Sequence, residues 1–146
     1  MKRLPSAFTL VEILVVVTII GMLAAAGSVS YTAFTKNSRD ARRKADLEQI
    51  RSAIELYRSN VGSYPTNSEL TVSCTPTDGI KDISGNTYMN KVPLDPKCPK
   101  SSYAYQSDGK TYLLGAAMES GSSSCSAPPN GCVLQCNYCV DAYGQK

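Results

Sequence analysis

The chain has no histidine and no tryptophan, and its 146 residues include only two phenylalanines. Without histidine it lacks the commonest general base and the commonest imidazole metal ligand, so acid–base and metalloenzyme chemistry start without their usual residues. No nucleophile can be placed beside a base, and the chain reads as a non-enzyme that needs no cofactor or metal. Charge is sparse as well. Asp, Glu, Lys and Arg make up 18% of the residues and the formal balance is +3, which argues for neither nucleic acid nor an acidic partner. The length leaves room for one ordinary domain and an anchor, not for a second domain.

Charge is scarcest between Phe8 and Gly27, FTLVEILVVVTIIGMLAAAG, a 20-residue run whose one ionisable side chain is Glu12. As a helix it spans about 30 Å, the thickness of a bilayer's hydrocarbon core. The leader before it, MKRLPSA, is too short to be a secretory signal with its own apolar region, so the boundary Ala7/Phe8 falls ahead of the apolar segment. An acidic residue at mid-membrane costs about 2.5–3.5 kcal/mol, somewhat less near an end, so Glu12 calls for a specific partner. The plainer reading is that it snorkels to water or to Lys2 and Arg3.

Ala7 followed by FTLVEILVVVTIIGMLA resembles the prepilin signature shared by type IV pilins and type II secretion pseudopilins. The resemblance implies that a prepilin peptidase cuts between Ala7 and Phe8 and that the new amine at Phe8 is methylated. Alanine at position 7 departs from the glycine usual in that family. Losing the leader with Lys2 and Arg3 leaves 13 basic against 12 acidic residues. The resemblance also supplies a partner for Glu12. In a filament the Phe8 ammonium of one subunit meets the Glu12 carboxylate of its neighbour, and opposite charges in low dielectric attract strongly enough to set axial register.

Beyond Gly27 the helix is expected to continue, because Leu47, Ile50, Ile54, Tyr57 and Val61 recur at spacings of three and four, one apolar stripe. Asp40/Lys44, Glu48/Arg51 and Arg51/Glu55 are read as pairs on its exposed faces. Gly62, followed by Tyr64 and Pro65, ends it. Residues 63–102 are punctuated by proline and glycine and read as loop. A hairpin is expected where Tyr103–Gln106 and Thr111–Ala116 flank Ser107-Asp-Gly-Lys110, followed by a Ser/Gly/Pro loop and a short edge strand within 133–143. So small a sheet must bury its apolar face on the stripe of the helix. The expected fold class is α+β: a leader over 1–7, a transmembrane or filament-core helix over 8–27, its amphipathic half over 28–61, and a globular head over 62–146.

The six cysteines, Cys74, Cys98, Cys125, Cys132, Cys136 and Cys139, all lie in that head. An even number in a small extramembrane region reads as a disulfide framework formed in an oxidising compartment, which places the head outside. Cys74 with Cys98 and two bonds among the last four is the preferred grouping, one of 15 connectivities. The spacing Cys132-x3-Cys136-x2-Cys139 matches that of three-thiolate iron–sulfur sites, but the large barrel such chemistry needs is missing. Zinc wants four N or S ligands and is set aside with it. One signal opposes an outward head: Lys36, Arg39, Arg42, Arg43 and Lys44 follow the span and outnumber the leader's cations. That cluster is interleaved with Asp40, Asp46 and Glu48, which also blunts it as a nucleic-acid patch.

AIELYRSNVGSYPT and YMNKVPLDPKCPKSSYAYQSDGKTYLL are similar to the head of the major pseudopilin of type II secretion. That family closes with a Gly/Asp-rich loop that binds calcium, whereas this chain has four cysteines after Ser120 and one carboxylate, Asp141, after Glu119; a site of six to eight oxygens is not expected there. A cysteine-bounded last loop is instead similar to type IV pilins. The resemblance implies a homo-oligomeric filament, with other pilins or pseudopilins, the peptidase and an inner-membrane assembly platform as partners and membrane lipid as the environment before assembly. It implies a single-pass protein of the cytoplasmic membrane, N-terminus inside, that moves into an extracytoplasmic filament, either a secretion pseudopilus or a surface pilus. The competing class is a monomeric anchored binding protein whose helix is only a tether.

Overall fold

The computed structural model describes residues 8–70, 72–75, 78–121, 125, 129, 131–132 and 134–145; for 28–30, 78 and 145 it describes the backbone alone. The chain divides into two compact units, one ending at Lys36 and the other beginning at Asn37.

A single helix, α1, covers Leu10–Val61, 52 residues. Thr9 caps its start: the Thr9 amide and hydroxyl donate to Glu12 Oε2 at 2.9 and 2.8 Å, and the Glu12 amide donates to Thr9 Oγ1 at 3.2 Å. This reciprocal threonine–glutamate arrangement satisfies two of the amides that every helix leaves unpaired at its N-terminus. The helix runs unbroken through Gly21 and Gly27, where an added Cβ would meet nothing within 4 Å. It stops at Gly62, whose φ of 88° and amide bond to the Arg58 carbonyl at 2.8 Å form a left-handed C-terminal cap.

The second unit builds its core on one stripe of α1. Leu47, Ile50, Ile54 and Tyr57 are buried as expected, and Ala53 joins them, but Val61 is exposed because the helix ends there. Against this stripe lies a four-stranded antiparallel sheet in the order β3-β4-β5-β6: β3 Ala104–Ser107, β4 Tyr112–Ala116, β5 Tyr138–Asp141 and β6 Gly144–Gln145. The hairpin pairs Tyr105 with Leu114 and Ser107 with Tyr112 around the turn at Asp108-Gly109, where Asp108 Oδ1 accepts the Lys110 and Thr111 amides. Tyr112, Leu114 and Ala116 alternate onto the core, with Tyr138 and Val140 of β5 beside them. The strand expected at an edge within 133–143 is interior instead, since β5 pairs with β4 through Leu114↔Val140 and Ala116↔Tyr138 while the two-residue β6 takes the edge.

A second correction concerns residues 63–102, which are not all loop. β1 Asp78–Lys81 and β2 Thr87–Lys91 form a separate two-stranded sheet. Their turn is held by Asp82, whose carboxylate accepts the Asn86 amide, the Asn86 side chain and the Tyr88 hydroxyl. Short strands and a glycine inside β1 hide this hairpin from pattern reading. That glycine is required: Gly79 has φ 28°, and a Cβ there would fall 1.8 Å from the Met89 carbonyl oxygen. Gly79→Ala is therefore expected to cost about 1–3 kcal/mol, read as a fall in the urea midpoint; an unchanged midpoint would show that the two strands do not approach so closely.

Candidate assembly site

The first half of α1 has apolar residues on every side and covers none of them. Leu10, Val11, Ile13, Leu14, Val15, Val16, Val17, Ile19, Ile20, Met22 and Leu23 are all about half exposed or more, and Phe8 is 80% exposed. A continuous apolar surface of this extent marks a segment that another apolar phase covers, and the helix is long and apolar enough to cross a membrane. Ala7 lies outside the described residues. Phe8 precedes the first turn, and Glu12 lies in that turn, its carboxylate turned back to Thr9. The sequence reading sought a partner for Glu12 in a neighbouring copy and missed the one three residues away. The Thr-x-x-Glu spacing ahead of an apolar run was the available signal.

The head carries a second constellation that the sequence reading placed on a solvated face. Arg43 is 1% exposed. Its guanidinium donates to Asp95 at 2.8 and 3.1 Å, to Asp40 at 2.8 Å and to Glu119 at 3.2 Å. Glu119 also takes a two-pronged bond from Arg39 at 2.6 and 2.7 Å and the Lys97 ammonium at 2.7 Å. Asp40 accepts the backbone amides of Glu119 and Ser120 and the Ser120 hydroxyl. Three cations and three carboxylates thus tie α1 to the 95–101 and 118–121 segments. Asp40 therefore pairs with Arg43 rather than with Lys44, which lies over the Tyr138 ring. Glu55 receives the Tyr64 and Tyr112 hydroxyls, while Glu48 and Arg51 pair as expected. Arg43 was legible after all: positions 43, 47, 50, 54 and 57 continue one spacing, and an arginine on a core stripe needs buried partners.

These bonds set the charge states. The Arg39 bond holds Glu119 well below the ordinary carboxylate range; burial opposes this, and Lys97 and Arg43 reinforce it. Burial works against ionising Asp40, but bonds from Ser120, the Glu119 amide and Arg43 outweigh it and lower its pKa. Both carboxylates are thus ionised more readily folded than unfolded. Their contribution is complete above the unfolded values near pH 4 and is lost as pH falls through the lower folded ones. The urea midpoint is expected to drop between about pH 5 and about pH 3, and Glu119→Gln to flatten that drop. A midpoint level across this range would contradict the assignment.

The cysteines pair as Cys74–Cys98, Cys125–Cys139 and Cys132–Cys136, which leaves no thiolate for iron or zinc. The last loop packs on the outer face of β4 at Gly115, where an added Cβ would come within 2.9 Å of Pro129 and 3.1 Å of the Cys136 sulfur. Asn137 fastens the same region, its side-chain amide bonding both the Met118 amide and carbonyl. Among the described residues nothing here suits calcium. The two carboxylates nearest the 118–121 segment, Asp40 and Glu119, already face guanidinium, ammonium, amide and hydroxyl donors, the opposite of an oxygen cage.

Residues 2–28 match the prokaryotic N-terminal methylation motif, and residues 31–124 match the family described as type II secretion system (T2SS), protein G. The chain belongs to the type II secretion system protein G family. It is 30% identical over 131 residues to the type II secretion system core protein G of Pseudomonas aeruginosa, covering 84% of this chain and 91% of that one. It is 25% identical over 99 residues to the core protein G of Aeromonas hydrophila, across 65% of this chain and 69% of the other. The type IV major pilin PilE1 of Neisseria gonorrhoeae is 31% identical over 95 residues, 65% of this chain, which spans about half of the pilin's length. No solved structure matches the chain significantly. This protein G homologue is a structural subunit of a pseudopilus- or pilus-type filament, from a family that is structural rather than enzymatic.

Proposed function

We propose that the chain waits in the cytoplasmic membrane with its N-terminus inside and its head outside, loses residues 1–7 to a prepilin peptidase at Ala7/Phe8, and is drawn by an inner-membrane platform into an extracytoplasmic filament with copies of itself and other pseudopilins. The division into leader 1–7, core helix 8–27, amphipathic half 28–61 and head 62–146 follows from that path. The observation that carries the reading is the fully uncovered apolar run from Phe8 to Leu23, headed by Thr9 and Glu12. In a filament, helix packing replaces lipid around this run. Both bonds from Thr9 fall on Glu12 Oε2, and the neighbour's Phe8 ammonium would engage the same carboxylate. The outward head is supported by its disulfides and by the pairing of Arg39 and Arg43, two of the five cations that argue against it, with carboxylates of the folded head. The secretion pseudopilus is favoured over the surface pilus by the extent of similarity to the Pseudomonas protein.

The test is intact-mass analysis of sheared filaments, with and without reduction. A chain beginning at N-methylated Phe8 that gains six hydrogens on reduction supports the reading. A chain that keeps Met1 to Ala7 and sheds no filaments overturns it in favour of an anchored monomer.

A further inference from the structure

Two exposed aromatic residues follow the apolar run within the first unit. Tyr31 and Phe34 are 71% and 72% exposed, three residues apart and so on one face of α1. Lys36, also exposed, is the first charged residue after Glu12, for none occurs from Ile13 to Thr35. Two hydroxyls of this stretch are satisfied without water. Thr18 donates to the Val15 carbonyl at 2.7 Å and Thr35 to the Tyr31 carbonyl at 2.8 Å, so each is satisfied by the helix itself.

The spacing gives these residues a shared meaning. At 1.5 Å per residue, Glu12 lies about 29 Å along the helix from Tyr31 and about 33 Å from Phe34. The two distances bracket the roughly 30 Å hydrocarbon core of a bilayer. Tyrosine, with an apolar ring and a polar tip, and lysine are what helices place at the headgroup layer, and Phe34 continues the apolar face of Tyr31 at that depth.

We infer that α1 is held in register in the bilayer from both ends, by Glu12 at the inner headgroup layer and by Tyr31, Phe34 and Lys36 at the outer one. The inference rests on the reading that this half of α1 crosses the membrane, and moves the part inside the hydrocarbon from 8–27 to the stretch between Glu12 and Phe34. It also changes the energetics of Glu12. In the membrane its carboxylate stays at the wet edge, capping its own helix, and is not buried at mid-bilayer cost. Its charge leaves water only on assembly, when the neighbour's ammonium arrives. The aromatic belt limits how far the subunit can sink, which keeps Glu12 at that edge.

The absence of tryptophan makes the test direct. Full-length Leu10→Trp, Ile20→Trp and Phe34→Trp variants each carry a single tryptophan at an exposed position, excited selectively over the tyrosines, and are reconstituted into vesicles of lipids brominated either near the headgroup or near the chain end. Ile20→Trp is expected to be quenched about twofold more strongly by the deep bromines, and Leu10→Trp and Phe34→Trp about twofold more strongly by the shallow ones. If Ile20→Trp is quenched but Phe34→Trp keeps water-like, unquenched emission, the span ends before the belt and the inference fails while insertion stands. Deep quenching at Phe34→Trp also overturns it. Quenching at none of the three defeats the membrane-crossing reading itself. Tyr31→Trp, one turn away, must report the same layer as Phe34→Trp.

Discussion

Arg43→Met is expected to destabilise the head by about 3–5 kcal/mol, because it strands two carboxylates, Asp40 and Asp95, that are each only 4% exposed. Methionine fills much of the arginine's volume, so lost packing contributes little and the cost is that of uncompensated buried charge. The urea midpoint of the detergent-solubilised chain reads the effect. Asp95→Asn on the Arg43→Met background should recover part of the loss, since it removes one stranded charge, whereas two independent contacts would add their costs. A loss below about 1 kcal/mol for Arg43→Met would mean that water reaches the cluster and that the pairing is a surface one. The disulfides alone cannot do this work. They join segments of the head beyond α1 to one another, while Arg39, Asp40 and Arg43 tie the 95–101 and 118–121 segments to α1.

Glu12→Ala is expected to abolish filament assembly, with subunit association weakened by about two to four orders of magnitude. Removing one member of a buried ion pair costs about 3–5 kcal/mol, and every 1.4 kcal/mol is tenfold in association. The variant also loses the bonds from Thr9, which is a different fault of about 0.5–2 kcal/mol. Glu12→Gln separates the two, because glutamine closes the same capping arrangement without charge. It should keep a well-formed helix start, seen as unchanged helicity in detergent, and still fail to assemble. Filaments from Glu12→Gln at the parental yield would show that Glu12 serves the cap alone.

Much of this architecture was legible from pattern. The apolar run, the stripe at 47, 50, 54 and 57, the glycine stop at 62 and the Asp-Gly hairpin all follow from periodicity and turn chemistry, which are local properties. What was hidden is non-local or short. β1 and β2 are four and five residues long and one contains a required glycine, so no alternation develops. β5 is an interior strand because β6, only two residues, covers its far side, a fact of register rather than composition. Arg43 stands on the core stripe and one partner, Asp40, is three residues away, but its other two partners lie 52 and 76 residues off, so the cluster itself could not be assembled from sequence. At the candidate site the reading named Phe8 through the prepilin resemblance and Glu12 through its apolar context, and overlooked Thr9, although the Thr-x-x-Glu spacing ahead of the apolar run is the signature of a capping box.

The most direct measurement is a map of the assembled filament at side-chain resolution. The account predicts the processed Phe8 nitrogen of one subunit within about 4 Å of the Glu12 carboxylate of its neighbour, ion-pair distance, with the 8–27 helices packed together at the filament axis. Glu12 found bonded only to its own Thr9, with the neighbouring amine far from it, would contradict the account.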